Sequence, residues 1–203
     1  MRRVTESIAL VFPEDLENYE GWLHEMNEKH GLSLTPETVL EWASKFGTTM
    51  HEWALQNKEP EKKTKIMKEC YKHWEKFIKD HDVKIIKTEQ PILYKELYHG
   101  TFDALVEVDG LKVLLDLKMW ECWKWELLKQ EIPTELKQSS VKLAKTNLQT
   151  YMYKQGAKDM VDARAVVSIN PLGYQFKVFR TTPQQKFNEI IEFLKKENED
   201  INF

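Results

Sequence analysis

Helical periodicity through the first 80 or so residues, a hairpin signal at Asp109-Gly110, and a return to helix and strand beyond it predict a mixed α/β fold. The expected architecture is a central mixed sheet flanked by helices, with a helical N-terminal region. A chain of 203 residues, 41% of them hydrophobic and only seven each Gly and Pro, can bury one sizeable core. One domain is therefore expected, with residues 1–82 as its helical part and 83–203 as its sheet and flanking helices.

Three helices account for the N-terminal part. Pro13 to Lys29 places Leu16, Tyr19, Trp22, Leu23 and Met26 at helical spacing. Thr35-Pro36-Glu37 combines a capping side chain with proline at the first helical position. From it Val39, Leu40, Trp42, Ala43, Phe46, Met50, Trp53 and Ala54 form an apolar stripe down to Asn57. A third helix is expected from Pro60 to His81, with Ile66, Cys70, Trp74, Phe77 and Ile78 inward.

Val83 to Tyr94 turns β-branched and extended, and Glu89 and Pro91 make its end irregular. Asp-Gly between alternating runs is the strongest short-range sign of a two-residue hairpin. Counting outward pairs Val108 with Leu111, Glu107 with Lys112, Val106 with Val113, Leu105 with Leu114, Ala104 with Leu115, and Asp103 with Asp116. One face then carries Phe102, Ala104, Val106, Val108, Leu111, Val113, Leu115 and Leu117, and must meet a core. The other carries Asp103, Asp116 and Lys118.

Like charges directly opposed destabilise a sheet, so something cationic is expected between the two carboxylates. Two readings stay open at this point: a hard divalent ion held by oxygen ligands, or a surface hairpin whose carboxylates splay into water beside Lys118. Beyond the hairpin, Trp120 to Pro133 gives no clear pattern, Thr134 to Gln155 reads as a long helix, Ala163 to Ile169 and Tyr174 to Phe179 as strands, and Pro183 to Glu197 as a closing helix.

The net charge of −3 gives no global basic signature, so any nucleic-acid contact must come from a local patch. Residues 136–158 offer one, because Lys137, Lys142, Lys145, Lys154 and Lys158 occur there without any Asp or Glu. Cys70 and Cys122 alone cannot build a zinc ribbon or a four-cysteine iron-sulfur cluster. With neither a secretion pattern nor a long apolar run, the expectation is a soluble intracellular protein of the cytoplasm, or of the host cytoplasm if the chain is viral, with no membrane partner.

Four elements in order resemble the PD-(D/E)XK nuclease superfamily, in particular its RecB-type exonuclease branch. Gly47-Thr48-Thr49-Met50-His51 is similar to the G-x-x-x-H helix, and Gly100-Thr101-Phe102-Asp103 to the G-x-x-D strand. Asp116-Leu117-Lys118 is similar to the D-x-K strand, and Gln149-Thr150-Tyr151-Met152-Tyr153 to the Q-x-x-x-Y helix. The resemblance spans residues 40–180 and implies a restriction-endonuclease-like sheet. Lacking the four cysteines of iron-sulfur relatives, the chain is more similar to phage and mitochondrial genome maintenance exonucleases.

By this resemblance Asp103, Asp116, Lys118 and Glu89 are catalytic. His51, Asp103, Asp116 and the Leu117 carbonyl would hold Mg²⁺ or Mn²⁺, and Lys118 would orient or help deprotonate the attacking water. Gln149, Tyr153, Lys145 and Lys142 would bind substrate. Trp120, Trp123 and Trp125 follow directly after Lys118, where they would either stack unpaired bases, at about 1–3 kcal/mol per base, or pack against a helix. The implied activity is metal-dependent DNA hydrolysis, an exonuclease on single strands or ends, with replication or recombination proteins as partners. The alternatives are a structure-specific or nicking endonuclease and a noncatalytic nucleic-acid-binding module.

Overall fold

Asp109 and Gly110 both adopt positive φ, 50° and 75°, which is what a two-residue turn between twisted strands demands. The strands on either side pair antiparallel in the register counted from the sequence, from Val108–Leu111 out to Ala104–Leu115. The computed structural model describes residues 1–12, 16–120, 122 and 140–201. In chain order it contains β1 (Arg2–Arg3), α1 (Val4–Ala9), α2 (Leu16–His30), α3 (Pro36–Gln56), α4 (Lys65–Asp80), β2 (Lys84–Tyr94), β3 (Tyr98–Val108) and β4 (Leu111–Lys118). After these come α5 (Ser140–Gly156), β5 (Ala163–Asn170), β6 (Gly173–Val178) and α6 (Gln184–Ile201).

The six strands form one mixed sheet. β2–β3, β3–β4 and β5–β6 are antiparallel, whereas β4–β5 is parallel and has α5 in its crossover. β1 pairs parallel with Tyr98 and His99, whose other edge β2 already occupies, so β1 continues the sheet beyond the end of β4.

Two apolar layers sandwich this sheet. On one side Phe46, Met50 and Trp53 of α3 and Cys70, Trp74 and Phe77 of α4 pack on Ala104, Val106, Val113, Leu115, Leu117 and Val167. On the other, Val4 and Ile8 of α1, Leu148 and Met152 of α5, and Ile190 and Leu194 of α6 pack on Leu105 and Leu114. β4 is consequently buried on both faces along Val113–Leu117. The surface hairpin left open by the sequence is excluded, because the face bearing Asp116 is covered as fully as its opposite.

The capping signals hold. Thr35 accepts from the Thr38 amide with Pro36 opening α3, and Asn57 closes it in the left-handed region at φ 56°. α4 starts at Lys65 behind the Thr64 cap, later than Pro60. α6 runs past Glu197 to Ile201. The expected starts of α2 at Pro13 and of α5 at Thr134 lie outside the described residues. Neither β1 nor α1 was expected, since a two-residue strand and a six-residue helix are too short to show periodicity.

Four apolar assignments are corrected. Leu40 (70% exposed) and Trp42 (45%) flank the buried stripe of α3 instead of joining it, and Leu111 (51%), beside the turn, is open as well. Phe102 packs in the α5 layer with Leu105, while Ala104 faces the α3 layer. Strict alternation therefore breaks at Asp103, and opposite it β2 is distorted at Glu89, whose φ is 48°. The ladder passes from Thr88–Ala104 to Gln90–Phe102 around the two acidic residues.

Cys70 and Cys122 are buried, their sulfurs 3.7 Å apart and not joined in a disulfide. Among the described residues no helix is long and apolar enough to cross a membrane. At Gly100 an added Cβ would stand 2.9 Å from the Tyr153 ring and 3.1 Å from Val4 Cγ2. Gly100→Ala should lower stability by about 1–3 kcal/mol through overpacking. An unchanged Tm in differential scanning calorimetry would contradict this contact.

Candidate metal centre

The break in β3 and its counterpart in β2 turn two carboxylates toward α3. Glu89, Asp103 and His51 each place a ligand atom within 4.8 Å of the others, and all three are half-buried. The His51 Nε2 lies 2.8 Å from the Leu117 carbonyl oxygen, which can only accept, so Nε2 carries the proton. Nδ1 is left on the side of Asp103, 3.8 Å from Oδ2. Asp103 Oδ2 also accepts from the Leu117 amide at 2.8 Å. Backbone and side chain of three elements thus lock the orientation of both His51 and Asp103.

Beside this group Asp116 is 1% exposed. The Lys118 ammonium donates to its Oδ1 at 3.1 Å and sits 2.9 Å from Oδ2. Hydrogen-bond geometry is met only at Oδ1, so among the described residues Oδ2 has a charged neighbour but no hydrogen bond. Burial pushes the Asp116 carboxyl up to about 6; Lys118 opposes this and Asp103 reinforces it. Burial works against the Lys118 ammonium, but Asp116 and Asp103 outweigh it, and its pKa is raised above the ordinary lysine value. Burial and Asp103 also raise Glu89, with His51 opposing.

One imidazole nitrogen and the oxygens of two carboxylates form a group that could hold a metal ion, and Asp116 Oδ2, without a hydrogen bond among the described residues, is an acceptor that a cation or its water could engage. The residues present fit such an ion. Glu89 joins His51 and Asp103, Asp116 is turned to Lys118, and the Leu117 carbonyl accepts from His51.

The substrate-binding candidates divide. Gln149 Nε2 donates to the Tyr153 hydroxyl at 2.9 Å. Tyr153 itself is 4% exposed in the α5 layer, and burial pushes its hydroxyl up to about 12, with Gln149 opposing. It lies within electrostatic reach of Asp116, Lys118 and Asp103. Lys142 and Lys145 are half-buried on α5, as is Trp120 just past β4. Trp123 lies outside the described residues, as do Trp125 and Lys137.

Sequence reasoning missed Arg164. This β5 residue is 5% exposed and has no carboxylate partner among the described residues. It donates to the Asn147 carbonyl and Oδ1 (2.7 and 2.9 Å), to Thr150 Oγ1 (3.3 Å) and to the Thr181 carbonyl (2.9 Å). Its guanidinium lies over the Tyr151 and Phe179 rings. The bonds to Asn147 and Thr150 pin α5 on either side of Gln149, and the available signal was a lone arginine inside the apolar run Ala163–Ile169.

Compared with known proteins, the chain matches no family model and no curated protein.

Without metal, the folded Asp116 titrates near 6, against about 3.9 in an unfolded chain. Its protonated form contributes stability that is complete below about pH 4 and is lost as the pH rises through about 6. Asp116→Asn cannot titrate, so in urea titrations of metal-free protein the wild type should lose stability relative to it across that window. Curves that stay parallel would contradict the uncompensated burial.

Proposed function

We propose that this protein is a metal-dependent nuclease, a phosphodiester hydrolase acting as an exonuclease on single-stranded DNA or DNA ends. The observation that carries the reading is the convergence of His51, Glu89 and Asp103 from three elements beside the buried Asp116–Lys118 pair. The order of motifs supports a relative of the RecB-type PD-(D/E)XK nucleases with a restriction-endonuclease-like sheet. Mg²⁺ or Mn²⁺ is the proposed cofactor, and replication or recombination proteins are the proposed partner class.

A bound divalent ion supplies a water acidic enough to ionise near neutral pH and neutralises charge on the phosphate. The chain's own part is positioning. His51 and Asp103 are held by the Leu117 carbonyl and amide, so neither needs to reorganise on binding. In the metal-free protein two carboxylates raise the Lys118 pKa and keep it an ammonium at neutral pH. That favours orienting water and stabilising charge on a phosphate oxygen over accepting a proton. The Tyr153 hydroxyl, accepting from Gln149, keeps its own proton to donate toward a substrate oxygen.

End-labelled single-stranded DNA with Mn²⁺ or Mg²⁺ should be degraded by the wild type. Asp116→Ala and Lys118→Ala should each be slowed by at least about 100-fold, the lower range for loss of a group acting in proton transfer or charge stabilisation. Equal degradation by wild type and Asp116→Ala would sink the assignment, and prompt cutting of closed circular single strands would contradict a strict exonuclease.

A further inference from the structure

The edge of β3 that carries β4 is interrupted. Ladder pairs with β4 end at Ala104 and pairs with β1 begin only at His99, so among the described residues no strand lies beside Gly100–Asp103 on that edge. The gap opens between the end of β4, which carries Lys118, and β1, which carries Arg3. A cavity of about 320 Å³ is lined by residues of this gap, at the small end of the range of about 300–1,000 Å³ for ligand pockets.

The polar lining is of one kind. Arg3 supplies a guanidinium, His99 an imidazole, and Thr5 and Thr101 hydroxyls, with no carboxylate among the described lining residues. Glu6 is turned instead to the Arg3 backbone amide at 3.1 Å. The neighbouring arginine makes the contrast: Arg2 donates to both carboxylate oxygens of Glu197 on α6, whereas Arg3 lines the cavity. A guanidinium with hydroxyl donors around it matches the oxygens of a phosphate. One wall of the cavity belongs to the metal centre as well. It is Tyr153, whose ring meets Gly100 and whose hydroxyl is within electrostatic reach of Asp116 and Lys118. Gly100 stands three residues before Asp103, about 10 Å along the strand, a span that neighbouring nucleotides of one strand can bridge.

We propose that this gap in the sheet edge is a phosphate subsite, in which Arg3 pairs with a phosphate of the substrate strand other than the one being cut, while Thr5, Thr101 and His99 donate to its remaining oxygens. The strand then runs from Lys118 past Tyr153 to Arg3. Such contacts fix the register of the strand and read no sequence. The phosphate is an internal diester or a monoester at a strand end, which share the chemistry the cavity offers. The proposal rests on the nuclease reading of the metal centre.

Binding of fluorescent oligo-dT, followed by anisotropy in EDTA across salt concentrations, reads the contact without cleavage. Arg3→Gln should raise Kd about fivefold near 0.1 M salt and make the slope of log affinity against log salt shallower by about 0.7, the value for one phosphate contact on a single strand. Arg2→Gln removes the same charge and should leave that slope unchanged. Thr5→Glu puts a carboxylate into the cavity from the first turn of α1, where it does not destabilise the helix. It should weaken binding at least as much as Arg3→Gln with Tm unchanged. In Mn²⁺-dependent cleavage the Arg3→Gln loss should appear in KM. Oligonucleotides with a terminal phosphate or hydroxyl separate the two sources: a preference for phosphate that Arg3→Gln abolishes assigns the subsite to a strand end, and equal binding assigns it to an internal diester. If wild type cleaves and Arg3→Gln matches it in salt slope and KM, or is matched by Arg2→Gln, the subsite falls and the nuclease reading stands. Wild type that neither binds nor cleaves overturns both.

Discussion

The organisation of the molecule turns on a carboxylate, Asp116, placed on a strand that helices cover from both sides. An ionised carboxylate there is costly unless compensated, and Lys118 two residues on is the compensation available. Compensation is partial, because among the described residues one oxygen has no hydrogen bond and burial holds the carboxyl above its ordinary range. A structural role alone would be served better by an apolar residue. Retaining an under-satisfied charge in a core is intelligible when a ligand completes it.

Everything near that residue serves to hold it at a seam. The α3 layer brings His51 to the Leu117 carbonyl, and the kinked edge of β2 and β3 turns Glu89 and Asp103 to the same place. From the opposite layer α5 brings Tyr153 and Gln149, and Arg164 fixes α5 against β5 by bonds to Asn147 and Thr150. β5 pairs residue by residue with β4, Val166 opposite Asp116, so the position of α5 is referred back to the same strand. The site is therefore a product of both layers.

Legibility in the sequence followed the range of the interactions. The hairpin register came from two residues of turn chemistry, and the caps of α3 from Thr35, Pro36 and Asn57, because such signals act over two to four positions. His51 and Lys118 were picked out by motif order, and the fold sets His51 beside Asp103 and Lys118 against Asp116. What the sequence concealed depends on the third dimension. Alternation alone could not tell that α1, α5 and α6 cover the Asp116 face, nor that the chain breaks period at Asp103 and so moves Phe102 to the other layer. The approach of Glu89 to Asp103 was hidden for the same reason, because the β2–β3 ladder steps past both residues where Glu89 leaves the extended region. Leu40 and Trp42 were misread because apolarity in a helix marks the core only where a neighbour exists to cover it.

The central claim is that His51, Glu89 and Asp103 hold a divalent ion. Anomalous diffraction from a crystal soaked in Mn²⁺ tests it without assuming any substrate. The account predicts an anomalous peak within coordination distance of these three side chains, in the range of about 2.0–2.6 Å for hard divalent ions. A fully exchanged crystal with no peak there, or with Mn²⁺ bound only elsewhere, would contradict it.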